Sequence, residues 1–318
     1  MPATPYVVAC VMTYNEAPII GRLVESVAPH VDTILLQDHH STDDTINAAF
    51  DASDIGVTVV TEDWTDFGHN RNLLLKNAAT LWAQYDNVWF LLIDADHTVD
   101  FTRGWRAWLH DGQSSVLAVK HAGSLSYQVP RLIRPHSGHY VGVTHEYFLN
   151  TTDTPTRLFT GITIVDYADG SSHAVKFQRD IALLSEQTAK HPRDARAWFY
   201  LGQSYRDMEN WLPAIGAYTR CVTESTWDEE RFYAQYQIGC CYLRSGDCSS
   251  ASTALLIAYS MRPTRIEPLV TLAEWSTNRG NRAYAELLLR AHAVDPIPDD
   301  VLFVERGKWT TRDLILKG

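Results

Sequence analysis

The stretch Leu91-Leu92-Ile93-Asp94-Ala95-Asp96 ends an apolar run on two carboxylates one residue apart. Neither acid has a sequence neighbour that neutralises it. Three chemistries fit such a pair. Water alone can solvate it as an ordinary strand end. Phosphorylation at a strand-end Asp needs only one acid. A divalent cation held between carboxylate oxygens and nucleotide phosphates gives the pair a purpose, because Mg2+ and Mn2+ prefer hard oxygen ligands and often take only one or two from protein. Polar groups recur at comparable places: Thr13-Tyr14-Asn15-Glu16, Asp38-His39-His40-Ser41 and Glu62-Asp63 each follow an apolar, β-rich run.

The elements that must position these groups alternate. Residues 6–12, 33–36, 57–60 and 88–93 read as strands. Residues 17–28 and 72–82 have helical spacing, and Ser41-Thr42-Asp43-Asp44 can cap another helix. Strand–helix alternation implies a parallel sheet covered on both faces, with ligands outside the carboxyl ends of the strands. From about residue 115 to 167 short strands and loops dominate. After Gln178 no strand pattern survives, and a repeat begins. Trp198, Leu201, Gly202, Tyr205, Ala214 and Tyr218 have tetratricopeptide spacing. Ile238, Gly239, Tyr242, Gly246, Ala251, Leu255, Ala258 and Pro263 repeat it, and Leu272, Ala273, Gly280, Ala285 and Leu289 do so weakly. Such repeats stack and bury their apolar faces on one another. The expected organisation is an α/β, Rossmann-like domain over residues 1–178 and an all-α, tetratricopeptide-like domain over residues 179–318.

Composition narrows the function classes. The 318 residues are 45% hydrophobic and 20% charged, which describes an ordered globular chain. No run of about 18 apolar residues predicts a membrane span, and the first residues lack the basic segment of a signal peptide. Five cysteines without metal-ligand spacing suit a reducing cytoplasm. A net charge of −11 disfavours a nucleic-acid partner without excluding a local basic patch.

Five stretches in order resemble the family 2-like glycosyltransferases of the GT-A fold, over roughly residues 5–180. VVACVMTYNEAPIIGRLVESV is similar to their opening strand and helix, and VDTILLQDHHSTDDT to the second strand and its turn. WTDFGHNRNLLL resembles the segment before the D-x-D strand, FLLIDADHTVD the D-x-D strand itself. VPRLIRPHSGHYVGVTHEYF resembles a segment of a subgroup whose catalytic domain is often followed by tetratricopeptide repeats; the subgroup serves lipopolysaccharide-core and peptide glycosylation. The resemblance implies a nucleotide-sugar donor, a UDP-sugar being the commonest, and Mn2+ or Mg2+ on its diphosphate. It implies nucleotide contacts at Thr13, Tyr14, Asn15 and Glu16, and base or ribose recognition at Asp38, where His39-His40 departs from the family's smaller residues. Arg71 is expected to meet the diphosphate or brace the acids. Asp96 is expected on the metal, and Asp94 on the ribose or reaching the metal through water. A histidine late in such domains often completes the metal site, and His173 is the candidate. His97 should point away from Asp96 if the strand stays extended. His145 is a donor or acceptor contact, against a core or surface role.

An inverting transfer needs a general base. Glu146 is the first candidate, with Glu62 and Asp63 behind it; a thiol acceptor would need less help. Tetratricopeptide grooves hold peptides or self-associate, so a protein or peptide acceptor is favoured and homo-oligomerisation through the repeats stays open. A saccharide or lipopolysaccharide-core acceptor is the close alternative, and a modified DNA base a third. A scaffold without turnover, kept for assembly, is the alternative of another class. A nucleotidyltransferase would normally carry a glycine-rich basic loop after the first strand, which MTYNEAPIIG lacks.

Overall fold

The structure, a computed structural model, describes residues 4–110, 112–122, 125–170, 176–290, 297–300 and 302–317. The chain divides into two compact units, residues 1–176 and 177–318. In the first unit four parallel strands stand side by side: β3 (Val57–Thr61), β2 (Thr33–Asp38), β1 (Tyr6–Thr13) and β4 (Val88–Asp94). The sheet continues through β7 (Leu125–Ile133), β6 (Ser115–Ala122), β10 (Thr156–Asp166) and β5 (His97–Phe101). It is mixed, not parallel throughout. Helices make the crossovers only as far as β4. Beyond it, β6 and β7 form a hairpin, whose two strands can pair only antiparallel.

Strand alternation feeds two cores. Val7, Ala9 and Val11 of β1 pack with α1 (Ile20–Val27) and α2 (Thr45–Asp51) on one face. Val8 and Cys10 join Leu74 and Ala78 of α3 (Phe67–Leu81) on the other. Burial on both faces explains why the parallel strands read as unbroken apolar runs. α3 starts earlier than the expected 72–82, because Asp66 caps it by accepting the His69 N–H at 2.7 Å. A two-stranded ribbon, β8 (Gly138–Val141) with β9 (Tyr147–Asn150), lies outside the main sheet.

The second unit is helical. After α4 (Lys176–Lys190) come three antiparallel pairs: α5 (Ala195–Asp207) with α6 (Trp211–Glu224), α7 (Asp228–Ser245) with α8 (Cys248–Met261), and α9 (Glu267–Asn278) with α10 (Arg282–Arg290). The repeat has a physical cause. A Cβ on Gly202 would lie 2.7 Å from the Tyr218 ring, and one on Gly239 would lie 2.6 Å from Leu255. Each pair therefore sets a glycine on its first helix against a large residue on its second. The third pair uses Ala273 and Leu289, both buried in one cluster. α11 (Gly307–Lys317) covers that cluster through Trp309.

Asp300, Leu302 and Phe303, ahead of α11, lie against the repeats. Arg265, fully buried, donates to Glu267 at 2.8 Å, to Asp300 at 3.1 Å, and to the carbonyls of Leu302 at 3.2 Å and Phe303 at 3.0 Å. The Leu302 N–H donates to Glu229 at 2.8 Å, and the Phe303 ring packs on Phe199 and Tyr233. All five cysteines are free. No helix among the described residues is long and apolar enough to cross a membrane.

Candidate active site

The carboxyl ends of the parallel strands are in register. Thr13 of β1 pairs with Asp38 of β2, Asp38 with Thr61 of β3, and Met12 with Asp94 of β4. The loops after β1 and β2 are stitched to each other. Asn15, with a positive φ of 53°, donates its N–H to Ser41 Oγ at 2.9 Å and accepts the Thr42 N–H on Oδ1 at 2.7 Å. The Glu16 N–H donates to Thr45 Oγ1 at 2.7 Å. Asp38 accepts from the Ser41 N–H at 2.9 Å and from its hydroxyl at 2.5 Å. Both oxygens of Asp38 thus serve its own turn. Thr13 is buried, and its hydroxyl has no partner among the described residues. Tyr14 is exposed.

Arg71 is the centre of the next group. Its Nη2 donates to Asp94 Oδ1 at 2.6 Å, and its Nε donates to Glu146 Oε1. The guanidinium lies 5.5 Å from the centroid of the Tyr140 ring. It is buried, and the segment DFGHNRN explains how it is held there. Asn70 accepts the Thr65 N–H at 2.9 Å and donates to the Asp63 carbonyl at 3.0 Å, fixing the strand-to-helix turn. Asn72 accepts the Tyr140 N–H at 2.7 Å and donates to the Tyr140 carbonyl at 2.9 Å, pegging α3 to β8. A Cβ on Gly68 would stand 2.2 Å from the Gly142 carbonyl oxygen, so only glycine lets the first turn of α3 meet the loop that carries Glu146. Arg71 is presented between two pegs.

Arg131, from the R-L-I-R motif, reaches Asp94 Oδ2 at 3.4 Å. Burial pushes the Asp94 carboxyl up, but Arg71, Arg131, His97 and Lys120 outweigh it and hold the group well below the usual carboxylate range. Of the two roles expected for Arg71, its contacts are with the acids. Neither alternative base joins this group: Glu62 accepts from Asn77 at 2.8 Å, and Asp63 pairs with His40 at 2.9 Å on an exposed surface. His145 sits beside Glu146 with a positive φ of 50°.

A third group lies at the end of β4. Ala95 and Asp96 form a tight turn into β5, so the side chains there do not alternate as in an extended strand. The expectation for His97 therefore fails: its Nε2 is 3.8 Å from Asp96 Oδ1 and 3.8 Å from Asp166 Oδ2. Donor atoms of Asp96, His97 and Asp166 all lie within 4.8 Å of one another. Two carboxylates at this spacing suit a hard divalent cation. The imidazole fits less well. The Asp94 N–H points at His97 Nδ1 (3.3 Å), which puts the proton of the neutral ring on Nε2, facing the acids. His97 is then a brace for the carboxylates. His97 and Lys120, the latter 2.9 Å away, hold Asp166 well below the usual range despite partial burial. A Cβ on Gly170 would touch both Asp96 and Glu16 at 3.4 Å, so residues after β10 pass over both acids. His173 lies outside the described residues.

Asp166 was not foreseen. Its signal, Ile162-Thr163-Ile164-Val165-Asp166, is the same as at Asp94: a β-rich run that ends in acid. Tyr140, Lys120 and the two asparagines left no such trace, because only the folded chain brings them to the acids.

Residues 8–117 match the model of the family described as Glycosyl transferase family 2. The match runs from β1 into β6. It includes Thr13 to Glu16, Asp38, Arg71, Asp94 and Asp96, and it supports a glycosyltransferase. Glu146, Asp166 and His173 lie beyond it. No curated protein matches the chain. Among solved structures, the chain is similar to MamA, at 16% identity over 46% of this chain and 84% of that one, with a TM-score of 0.35. It is also similar to a MamA fragment from Desulfovibrio magneticus RS-1, at 15% identity over 38% and 66%, with a TM-score of 0.33. A third is YrrB, described as a TPR protein with an unusual peptide-binding site, at 16% identity over 38% and 60%, with a TM-score of 0.32.

Proposed function

We propose that the first unit is a metal-dependent, inverting glycosyltransferase that moves a sugar from a nucleotide-sugar, a UDP-sugar by family preference, to a protein or peptide acceptor. The observation that carries the reading is Arg71, which joins Asp94 to Glu146 beside the carboxyl ends of four parallel strands. In this reading the nucleotide lies against Thr13, Tyr14, Asn15, Glu16 and Asp38, with His145 at its edge. Asp94 faces the ribose. Asp96 and Asp166 would hold Mn2+ or Mg2+, which when bound stabilises the charge on the departing diphosphate. Glu146 takes the acceptor's proton as the acceptor oxygen attacks the anomeric carbon. Oε1 of Glu146 is committed to Arg71, so the proton goes to its other oxygen. A reducing compartment such as the cytoplasm goes with five free cysteines.

Calorimetry of UDP on the whole protein, with and without Mn2+, tests the reading. Metal should tighten UDP binding to the parent and leave Asp96→Ala unaffected, and the variant should lose Mn2+-dependent donor hydrolysis. Equal metal enhancement in both proteins would sink it.

A further inference from the structure

The stretch RLIRPHSGH sends Arg131 to the active-site acids, but its other basic side chains go elsewhere. Arg134, His136 and His139 line a cavity of about 530 Å3 between α3 and the β7–β8 connection. None of Arg71, Asp94, Tyr140 and Glu146 lines this cavity. Its deep wall is apolar, formed by Leu75, Ala79 and the fully buried Phe90. Its rim is basic. Lys76, His136 and His139 are exposed there, and their side chains have no partner among the described residues. Among those residues no carboxylate lines the cavity. In a chain of net charge −11 a rim of one sign is not the average surface.

We infer that this cavity binds a phosphate monoester whose organic group is apolar or aromatic. The rim offers an ammonium and two imidazoles around one opening, beside the Arg134 guanidinium, which is engaged with Asn87 Oδ1 at 3.5 Å and the Asp86 carbonyl at 3.3 Å. A dianion with three acceptor oxygens can use several such donors together; a carboxylate, with two oxygens and one charge, uses fewer. The apolar wall takes the organic group. The site is separate from that proposed for the donor diphosphate and does not rest on that reading.

The probe is phenyl phosphate, titrated into the whole protein with histidine-labelled NMR detection; His136→Gln and His139→Gln assign the two imidazole signals. Both signals should shift saturably. Burying about 60 Å2 of the ring is worth roughly tenfold in affinity, so inorganic phosphate should bind about tenfold more weakly. Phenol should not shift the signals. Lys76→Glu, an exposed change, should weaken binding about fivefold while leaving the melting temperature unaltered. Saturating UDP with Mg2+ should not displace the probe. The inference is overturned if neither imidazole responds, if UDP competes the probe away, or if Lys76→Glu and His139→Gln both bind like the parent.

Discussion

At the scale of residues, one guanidinium organises the candidate site. Arg71 touches both the acid that ends β4 and the acid proposed as base, and it does so from a buried position. A lysine could not span the two, since a single ammonium lacks the planar fork. The contact also sets a demand on Glu146, which must be held by a cation yet accept a proton. Glu146→Gln separates these tasks. Glutamine keeps an oxygen for Arg71 and has nearly the same shape, but it cannot take the proton. Transfer to a hydroxyl acceptor should fall by about 10²–10⁴-fold, with UDP affinity in Mn2+ unchanged by calorimetry. Near-parental turnover would remove Glu146 from the base role.

At the scale of elements, close approaches decide whether those residues meet. The first turn of α3 lies so near the 142–146 loop that Gly68→Ala must move one of them. Overpacking of this kind costs about 1–3 kcal/mol. The expected result is a lower denaturant midpoint and a larger loss of transfer than of stability, because Arg71 and Glu146 ride on the two displaced pieces. A variant as stable and active as the parent would show the approach to be slack. In the helical unit, burial raises the Glu230 carboxyl above its ordinary 4.5, against the opposing hydrogen bond from Ser225. The folded state therefore holds the Glu230 proton to higher pH than the unfolded state does. Its contribution is most favourable below 4.5 and is lost as pH rises through the folded value. Glu230→Gln lacks this loss, so its melting temperature should gain on the parent's between pH 4 and pH 8. A difference that stays flat across that range would contradict the assignment. Much of this level was readable beforehand. Apolar runs gave the strands, and the spacing of Gly202 to Tyr218 and of Gly239 to Leu255 gave the repeat, because those signals are local. The turn at Ala95–Asp96 was not readable, since a two-residue reversal leaves no break in composition. It reversed the reading of His97; Asp166 ends an apolar run as Asp94 does, but its partners are far away in sequence.

At the scale of the whole molecule, each unit has its own apolar clusters. The two faces of the sheet supply those of the first, and the stacked helix pairs those of the second. Residues 1–176 made alone should keep Mn2+-dependent UDP binding, and residues 177–318 should melt cooperatively by circular dichroism. Loss of UDP binding by a soluble, folded first unit would tie the nucleotide site to the second. The seating of Asp300 and residues 302–305 on the repeats bears on any peptide brought to them. A segment tethered beside the surface it covers acts as a competitor at an effective concentration of about millimolar, and it does not dilute. A partner peptide seeking the Arg265 and Phe199–Tyr233 positions faces eviction of a resident before it gains any contact of its own. Were a peptide to bind there, it would have to displace Asp300 and residues 302–305 first, and affinities measured for the bare repeats, without residues 297–317, would describe a different binder.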